Sequence, residues 1–168
     1  MKSNNRHKTA HLGFLVLLAG AAGGLAEILW VMIYSAFTPV SGAVVAREVT
    51  ASFFPALAVG GSGTWLGIGI HMALALLLGY AFAYLVWKPF VRSRGPLATL
   101  AVSALTLAAV WTVNFFVILP SLNPAFITLM PYSVTFASKM LFAVAMGGIL
   151  AGAAVRETAV GESVAGQH

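Results

Sequence analysis

The first long apolar stretch of the chain carries a carboxylate. Residues 12–37 form an almost unbroken apolar run, and Glu27 lies near its middle. At a rise of ~1.5 Å per residue, a helix of this length crosses a bilayer core of ~30 Å. An ionised carboxylate at that depth costs about 3 kcal/mol unless it is hydrated or paired. We therefore expect Glu27 to face other helices rather than lipid.

Small residues lie on the same helical face as Glu27. Gly13, Gly20 and Gly24 precede it at helical spacing. Such residues let helix backbones approach one another closely within a membrane. We predict helix packing at Gly20, Gly24 and four later glycines. These four are Gly67, Gly79, Gly147 and Gly148.

The composition and hydropathy pattern indicate a multi-pass membrane protein. Only 8% of the 168 residues are charged and 60% are hydrophobic, whereas a soluble domain carries about 25% charged residues. We predict an all-α fold, a four-helix transmembrane bundle, in which the first span is not a cleaved signal because its apolar run is too long. The predicted spans are residues 12–37, 64–87, 97–119 and 132–155.

A short amphipathic segment lies between spans one and two. Residues 41–54 are too few and too polar to cross a bilayer. Ser41 is predicted to cap a helix whose apolar residues recur every four positions, which is typical of a helix on the membrane surface. A glycine-rich run, 60–63, is expected to separate this helix from span two. The residues predicted to dock a protein partner are Val45, Arg47, Val49 and Phe53.

The basic residues predict how the protein is oriented. With four spans, both termini and the 88–95 loop share one side, which holds seven lysines and arginines, whereas the other side holds only Arg47. The positive-inside rule places the richer side in the cytoplasm. We predict a bacterial inner-membrane protein with a cytoplasmic segment 1–11 and a disordered cytoplasmic tail, 156–168. The seven residues are Lys2, Arg6, Lys8, Lys88, Arg92, Arg94 and Arg156.

Each predicted span carries one strongly polar residue, and all four fall at similar depth in the outer half. They are Glu27, His71, Asn114 and Lys139. One interpretation is structural, with an ion pair between Glu27 and Lys139 that fixes helix register. A second is a functional pocket open to the outer face, since ionisable residues within a membrane usually mark ligand or proton paths. In a third, Lys139 extends outward to the interface.

No motif for catalysis or for a cofactor is found. The chain has no cysteine, which excludes thiolate metal sites, iron–sulfur clusters and cysteine nucleophiles. Haem at His71 is an alternative that lacks a good second axial ligand, and Glu27 with His71 supplies too few ligands for a metal site. The basic residues form no stripe, which argues against nucleic acid. We predict no enzymatic activity, no cofactor, no metal and no nucleic-acid partner.

Three stretches resemble those of a known group of proteins. They are the glycine-rich first span, Trp65-Leu66-Gly67-Ile68-Gly69-Ile70-His71 at the start of span two, and Leu119-Pro120 at the end of span three. Together, over residues 12–155, they resemble small four-span bacterial inner-membrane proteins known only as domains of unknown function. The resemblance implies a four-helix inner-membrane fold and no assigned activity.

Two classes of function remain open. The first is a non-catalytic accessory or assembly component of a membrane complex, with a protein partner or a second copy of the chain beside it in the bilayer. The second is a small proton-linked transporter or ligand-binding protein that uses Glu27, His71 and Lys139. The sequence shows no inverted repeat and no proline-interrupted span, both of which are common in transporters. The sequence therefore favours the first class.

Overall fold

The structure, a computed structural model, describes the backbone of residues 2–165 and the side chains of residues 12–156. This part of the chain is helical, without a β-strand, so the predicted all-α class is confirmed. Two π-helical segments, Ala83–Val91 and Asn114–Ile118, and two 3-10 turns, Pro55–Leu57 and Arg92–Arg94, connect or extend the α-helices. The α-helices are α1 Lys2–Ala36, α2 Gly42–Ala51, α3 Gly60–Phe82, α4 Pro96–Val113, α5 Leu119–Leu122, α6 Pro124–Leu129 and α7 Tyr132–Ala165.

Among the described residues, four helical stretches are long and apolar enough to cross a membrane, which confirms a multi-pass membrane protein. Each overlaps one predicted span. They are Leu12–Ala36, Gly60–Arg94, Pro96–Leu122 and Tyr132–Arg156, which we call spans one to four.

The four spans form an arc that is closed at one end only. Helix α7 packs between α1 and α4, and α1 also packs against α3. At the end opposite α2, the Ala83–Val91 segment touches α4 and closes the arc. Towards the α2 end, α3 and α4 make at most marginal contact. A gap therefore separates spans two and three in the half of the bundle that carries α2.

The close-packed core lies on the side of the bundle away from α2. Large side chains there are fully buried, among them Phe82, Trp87 and Leu150. The bundle is thus closely packed at this end. The core residues are Ala19, Ala75, Phe82, Trp87, Val91, Leu107, Phe142, Ala143, Met146, Leu150 and Ala154.

Three glycines, Gly20, Gly24 and Gly79, make the crossing of α1 and α3 close. A Cβ atom added to Gly79 would lie 2.6 Å from the Cα of Gly20, and one added to Gly24 would lie 2.7 Å from the Cβ of Ala75. Such separations leave no room for a side chain, so these backbones pack directly against one another.

The other predicted packing glycines divide into two kinds. A Cβ on Gly147 would lie 2.7 Å from Ser103 Oγ on α4, and one on Gly67 would collide with the carbonyl of Ala46 on α2. A Cβ on Gly148 would meet nothing within 4 Å. Gly148 was therefore wrongly predicted to pack, because it lies one position past Gly147 and faces outward from the bundle.

The glycine-rich run 60–63 is the first turn of α3 rather than a break. Thr50 of α2 donates a hydrogen bond of 2.6 Å to the carbonyl of Gly63. The missing side chain at Gly63 also lets the carbonyl of Leu57 lie 2.7 Å from where its Cβ would be. These contacts overcome the weak helix propensity of glycine, about 1 kcal/mol per residue.

Span three is interrupted, contrary to prediction. After α4, residues Asn114–Ile118 form a π-helical segment in which the N–H of Leu119 bonds the carbonyl of Asn114. Pro120 follows in α5 and has no N–H to continue the ordinary helical ladder, which accounts for a wider turn before it.

The tail is also more ordered than predicted. Helix α7 continues to Ala165, so residues 156–165 are helical rather than disordered. They contain no proline, and alanine and glutamate favour helix. The remainder of the predicted tail, 166–168, lies outside the described residues.

Candidate functional site

The centre of the site is an ion pair between α1 and α7. Lys139 Nζ lies 2.8 Å from Glu27 Oε1 and donates to Oε2 at 2.9 Å. Ser138 Oγ donates to Oε1 at 3.4 Å. Glu27 is only 4% exposed, so its charge is balanced by these partners rather than by bulk water. The interpretation that Lys139 extends outward is therefore wrong.

His71 joins the pair from α3. Its Nε2 lies 3.2 Å from the carbonyl oxygen of Gly24 and 3.8 Å from Glu27 Oε2. Because a carbonyl only accepts, Nε2 carries the hydrogen in this bond, which leaves Nδ1 of the neutral ring as an acceptor. Three of the four predicted polar residues, Glu27, His71 and Lys139, thus come together from three spans. We call these three residues the charged cluster.

Asn114 belongs to the site without joining the charged cluster. It opens the π-helical segment of span three and lines the same cavity as the cluster. Among the hydrogen bonds of the described residues, none connects its amide with Glu27, His71 or Lys139. The predicted layer of four residues is therefore a cluster of three with a separate amide on the wall.

The charged cluster lines a cavity of about 450 Å³. This volume lies within the range of small-molecule sites, roughly 300–1,000 Å³. Its walls come from all four spans and from α2 and α6, and most of the side chains are apolar. The titratable side chains of the lining are Glu27, His71 and Lys139, and its other polar side chains include Thr64 and Asn114.

Helix α2 covers the cavity and is fixed in place by polar contacts. The side chain of Ser41 accepts from the N–H of Ala43, which confirms the predicted cap. At the other end of α2, Asn123 Nδ2 donates to Glu48 Oε2 at 2.9 Å and to Ser52 Oγ at 3.2 Å. Together with the Thr50 bond to α3, these contacts make α2 a cover attached on two sides.

The predicted partner-docking surface is used inside the chain. Val45 is 7% exposed and, with Val49, faces the cavity. Arg47 donates to Thr64 Oγ1 on α3 at 3.3 Å. Phe53 also lines the cavity, although about half of it is exposed. The apolar face of α2 therefore packs largely on the bundle, and docking of a partner at these four residues stays a prediction.

Phe142 separates the charged cluster from the core. Its ring is fully buried, 5.6 Å from Lys139 Nζ, in the range of a cation–π contact. The ring packs against Gly23, where a Cβ would lie 2.7 Å from it. Sequence reasoning missed Phe142 and Gly23, because it assigned one inward face to each helix. A long lysine reaches around its helix, so adjacent residues 138 and 139 both contact Glu27.

Two tryptophans hold α7 against its neighbours beside the cavity. Trp30 Nε1 donates to the carbonyl of Val134 at 3.0 Å, and Trp111 Nε1 donates to Thr135 Oγ1 at 3.1 Å. The Trp111 ring stacks on Phe115, a wall residue, with centroids 5.5 Å apart. These contacts fix the positions of α1 and α4 relative to the helix that carries Lys139.

Comparison with known proteins leaves the function to the site itself. No family model, no curated protein and no solved structure matches the chain. The resemblance to small four-span bacterial membrane proteins therefore stays a prediction. Within the described side chains, no group of three or more histidines and acids is placed to hold a metal ion. Nε2 of His71 is engaged with Gly24, which leaves only Nδ1 for a haem iron.

Proposed function

We propose that this protein binds a small, mostly apolar ligand within the membrane, in the cavity beside Glu27, His71 and Lys139. The observation that carries the proposal is a large, mostly apolar cavity that Glu27, His71 and Lys139 line together. Small-molecule sites are typically apolar clefts with a few placed polar groups that orient the ligand.

A purely structural role explains the charged cluster less well. Ion pairs that only hold helices together are often replaceable by apolar residues at no cost in stability. Here the side chains of His71 and Lys139 remain 25% and 18% exposed, and both line the cavity. Polar surface that faces a cavity is surface that a ligand could contact.

The proposal includes a location and an orientation. The distribution of basic residues supports a bacterial inner membrane with both termini in the cytoplasm. The α2 end and the cavity then lie in the outer half of the bilayer. The proposal includes no chemical reaction and no resident cofactor.

Native mass spectrometry of protein purified in mild detergent tests the proposal. We expect wild-type protein to carry a nearly stoichiometric small molecule, which chromatography and mass spectrometry of an organic extract would identify. Ala43→Phe places a ring in the cavity from α2 and should remove this molecule. Ala109→Phe adds the same ring at an exposed position of α4 and should keep it.

Thermal unfolding shows whether both variants are folded. Wild-type protein that carries no small molecule would contradict the proposal. Equal occupancy in folded Ala43→Phe and Ala109→Phe would contradict it as well, because the molecule would then be bound outside the cavity.

An accessory or assembly role is the second candidate. The observation in its favour is an exposed line along α7, where Gly148 and Gly152 form a small-xxx-small pair with no atom within 4 Å of an added Cβ. This pattern is typical of contacts between membrane helices. A stoichiometric protein partner in the same mass spectra, in place of a small molecule, would favour this role.

A further inference from the structure

Within the charged cluster, Glu27 and Lys139 balance one another, and His71 adds no charge in its neutral form. Glu27 contributes one negative charge and Lys139 one positive charge, and both carboxylate oxygens are within 2.9 Å of the ammonium group. An anionic ligand would approach the Glu27 carboxylate without an unpaired cation to offset it. A cationic ligand would approach the Lys139 ammonium group without an unpaired anion to offset it. Because an unpaired charge is costly away from water, the site favours an uncharged ligand.

One donor and one acceptor remain for such a ligand. An ammonium group has three N–H bonds; Lys139 donates one to Glu27 Oε2 and lies 2.8 Å from Oε1, so at least one N–H remains when both oxygens are engaged. His71 uses Nε2 towards Gly24, and its Nδ1 is free to accept when the ring is neutral. A hydroxyl group satisfies both, because its oxygen accepts from Lys139 while its hydrogen is donated to His71.

The cavity also reaches the lipid-facing surface. Leu74 of α3 and Ile118 of the π-helical segment both line it, yet they are 44% and 43% exposed. These residues lie on the two spans that scarcely touch towards the α2 end. An apolar molecule dissolved in the bilayer can therefore reach the charged cluster sideways, between spans two and three.

From these observations we infer the chemical class of the ligand. It is an uncharged, lipid-soluble alcohol or phenol that enters between spans two and three and places its hydroxyl between Lys139 and His71. Its apolar body lies against the wall that includes Leu74 and Ile118. This inference rests on the proposed function and narrows it.

Three amphiphiles with the same tail test the headgroup. We would add 1-dodecanol, dodecanoate or dodecylamine to the purified full-length protein in lipid nanodiscs and count bound molecules by native mass spectrometry. Dodecanol should bind at least about tenfold more tightly than either charged analogue, a difference of about 1.4 kcal/mol.

Two variants test the residues that recognise the hydroxyl. Glu27→Gln combined with Lys139→Met removes the donor without leaving an unpaired charge, and it should weaken dodecanol binding about tenfold. Lys88→Met removes a cation that does not line the cavity and lies at the opposite end of span two, and it should leave binding unchanged.

The outcomes separate this inference from the proposed function. Tighter binding of dodecanoate or dodecylamine, or equal binding of all three, would overturn the inference but keep the site. Dodecanol binding that Ala43→Phe abolishes but the double variant preserves would also overturn it. If none of the three binds and wild-type protein carries no small molecule, the proposed function fails with it.

Discussion

Glu27 and Lys139 depend on one another more than on any other part of the protein. Removing one partner of a buried ion pair costs roughly 3–5 kcal/mol, whereas replacing both is often close to neutral. The two partners are not equivalent, because Glu27 is almost fully buried while Lys139 retains surface along the cavity. The two single variants should therefore differ.

We expect Lys139→Met to lower stability more than Glu27→Gln does, because it leaves a buried carboxylate without its cation. The double variant should be more stable than the sum of the two losses predicts. Unfolding of the purified protein by heat, followed as a double-mutant cycle, measures this coupling. Strictly additive losses would show that the pair does not interact in the folded protein.

The residues that cost the most free energy to bury were the ones whose contacts could be predicted from the sequence. A charge within an apolar run must find a partner, so Glu27, His71 and Lys139 could be expected to meet. An amide or a hydroxyl group costs less free energy than a charge when it has no partner, and it can also hydrogen-bond to nearby backbone. The direction in which Asn114 points depends on helix register, which the π-helical segment alters. Ser138 can contact Glu27 because the long side chain of the adjacent Lys139 reaches the same carboxylate from a different helical face.

At the scale of helices, the crossing of α1 and α3 holds span two in the bundle. Its closest point is Gly20 against Gly79, where no side chain fits. The exposed line of α7 at Gly148 has the same residue type without a neighbour. Gly79 and Gly148 thus provide a matched pair for testing helix packing.

Gly79→Leu should strongly destabilise the bundle, because α1 and α3 would have to separate. Gly148→Leu should change stability by no more than about 0.5 kcal/mol, as is usual for exposed positions. The measurement is the midpoint of thermal unfolding of each purified variant. Similar losses in both would mean that α1 and α3 do not cross closely.

Helix α2 shows where prediction from periodicity ends. The cap at Ser41 and the apolar spacing gave the correct helix. Periodicity identifies which face is apolar but not what covers it, so the packing of α2 over the cavity was not predicted. Gly67 was the sequence signal for this contact, because its lack of a side chain lets the backbone of α2 pack against α3.

At the scale of the whole molecule, orientation is open to a direct test, because the chain has no cysteine. Ser62 and Ser93 are both exposed and lie at opposite ends of span two. A single cysteine at either position gives one labelling site without any background.

Ser62→Cys should react with a membrane-impermeant maleimide in intact spheroplasts, whereas Ser93→Cys should react only after lysis. This follows from the excess of basic residues on the side of the 88–95 loop. Labelling is read as a mass shift on a gel. The reverse pattern would place the cavity in the cytoplasmic half of the bilayer.

The pairing of spans one and four has a consequence for how the protein is made. Glu27 and Lys139 are 112 residues apart, so the ribosome finishes Lys139 roughly 6–22 s after Glu27, at about 5–20 residues per second. During that interval span one has no cation to balance its carboxylate. Until span four arrives, the cost of this carboxylate in the bilayer has to be lowered by protonation, hydration or the insertion machinery.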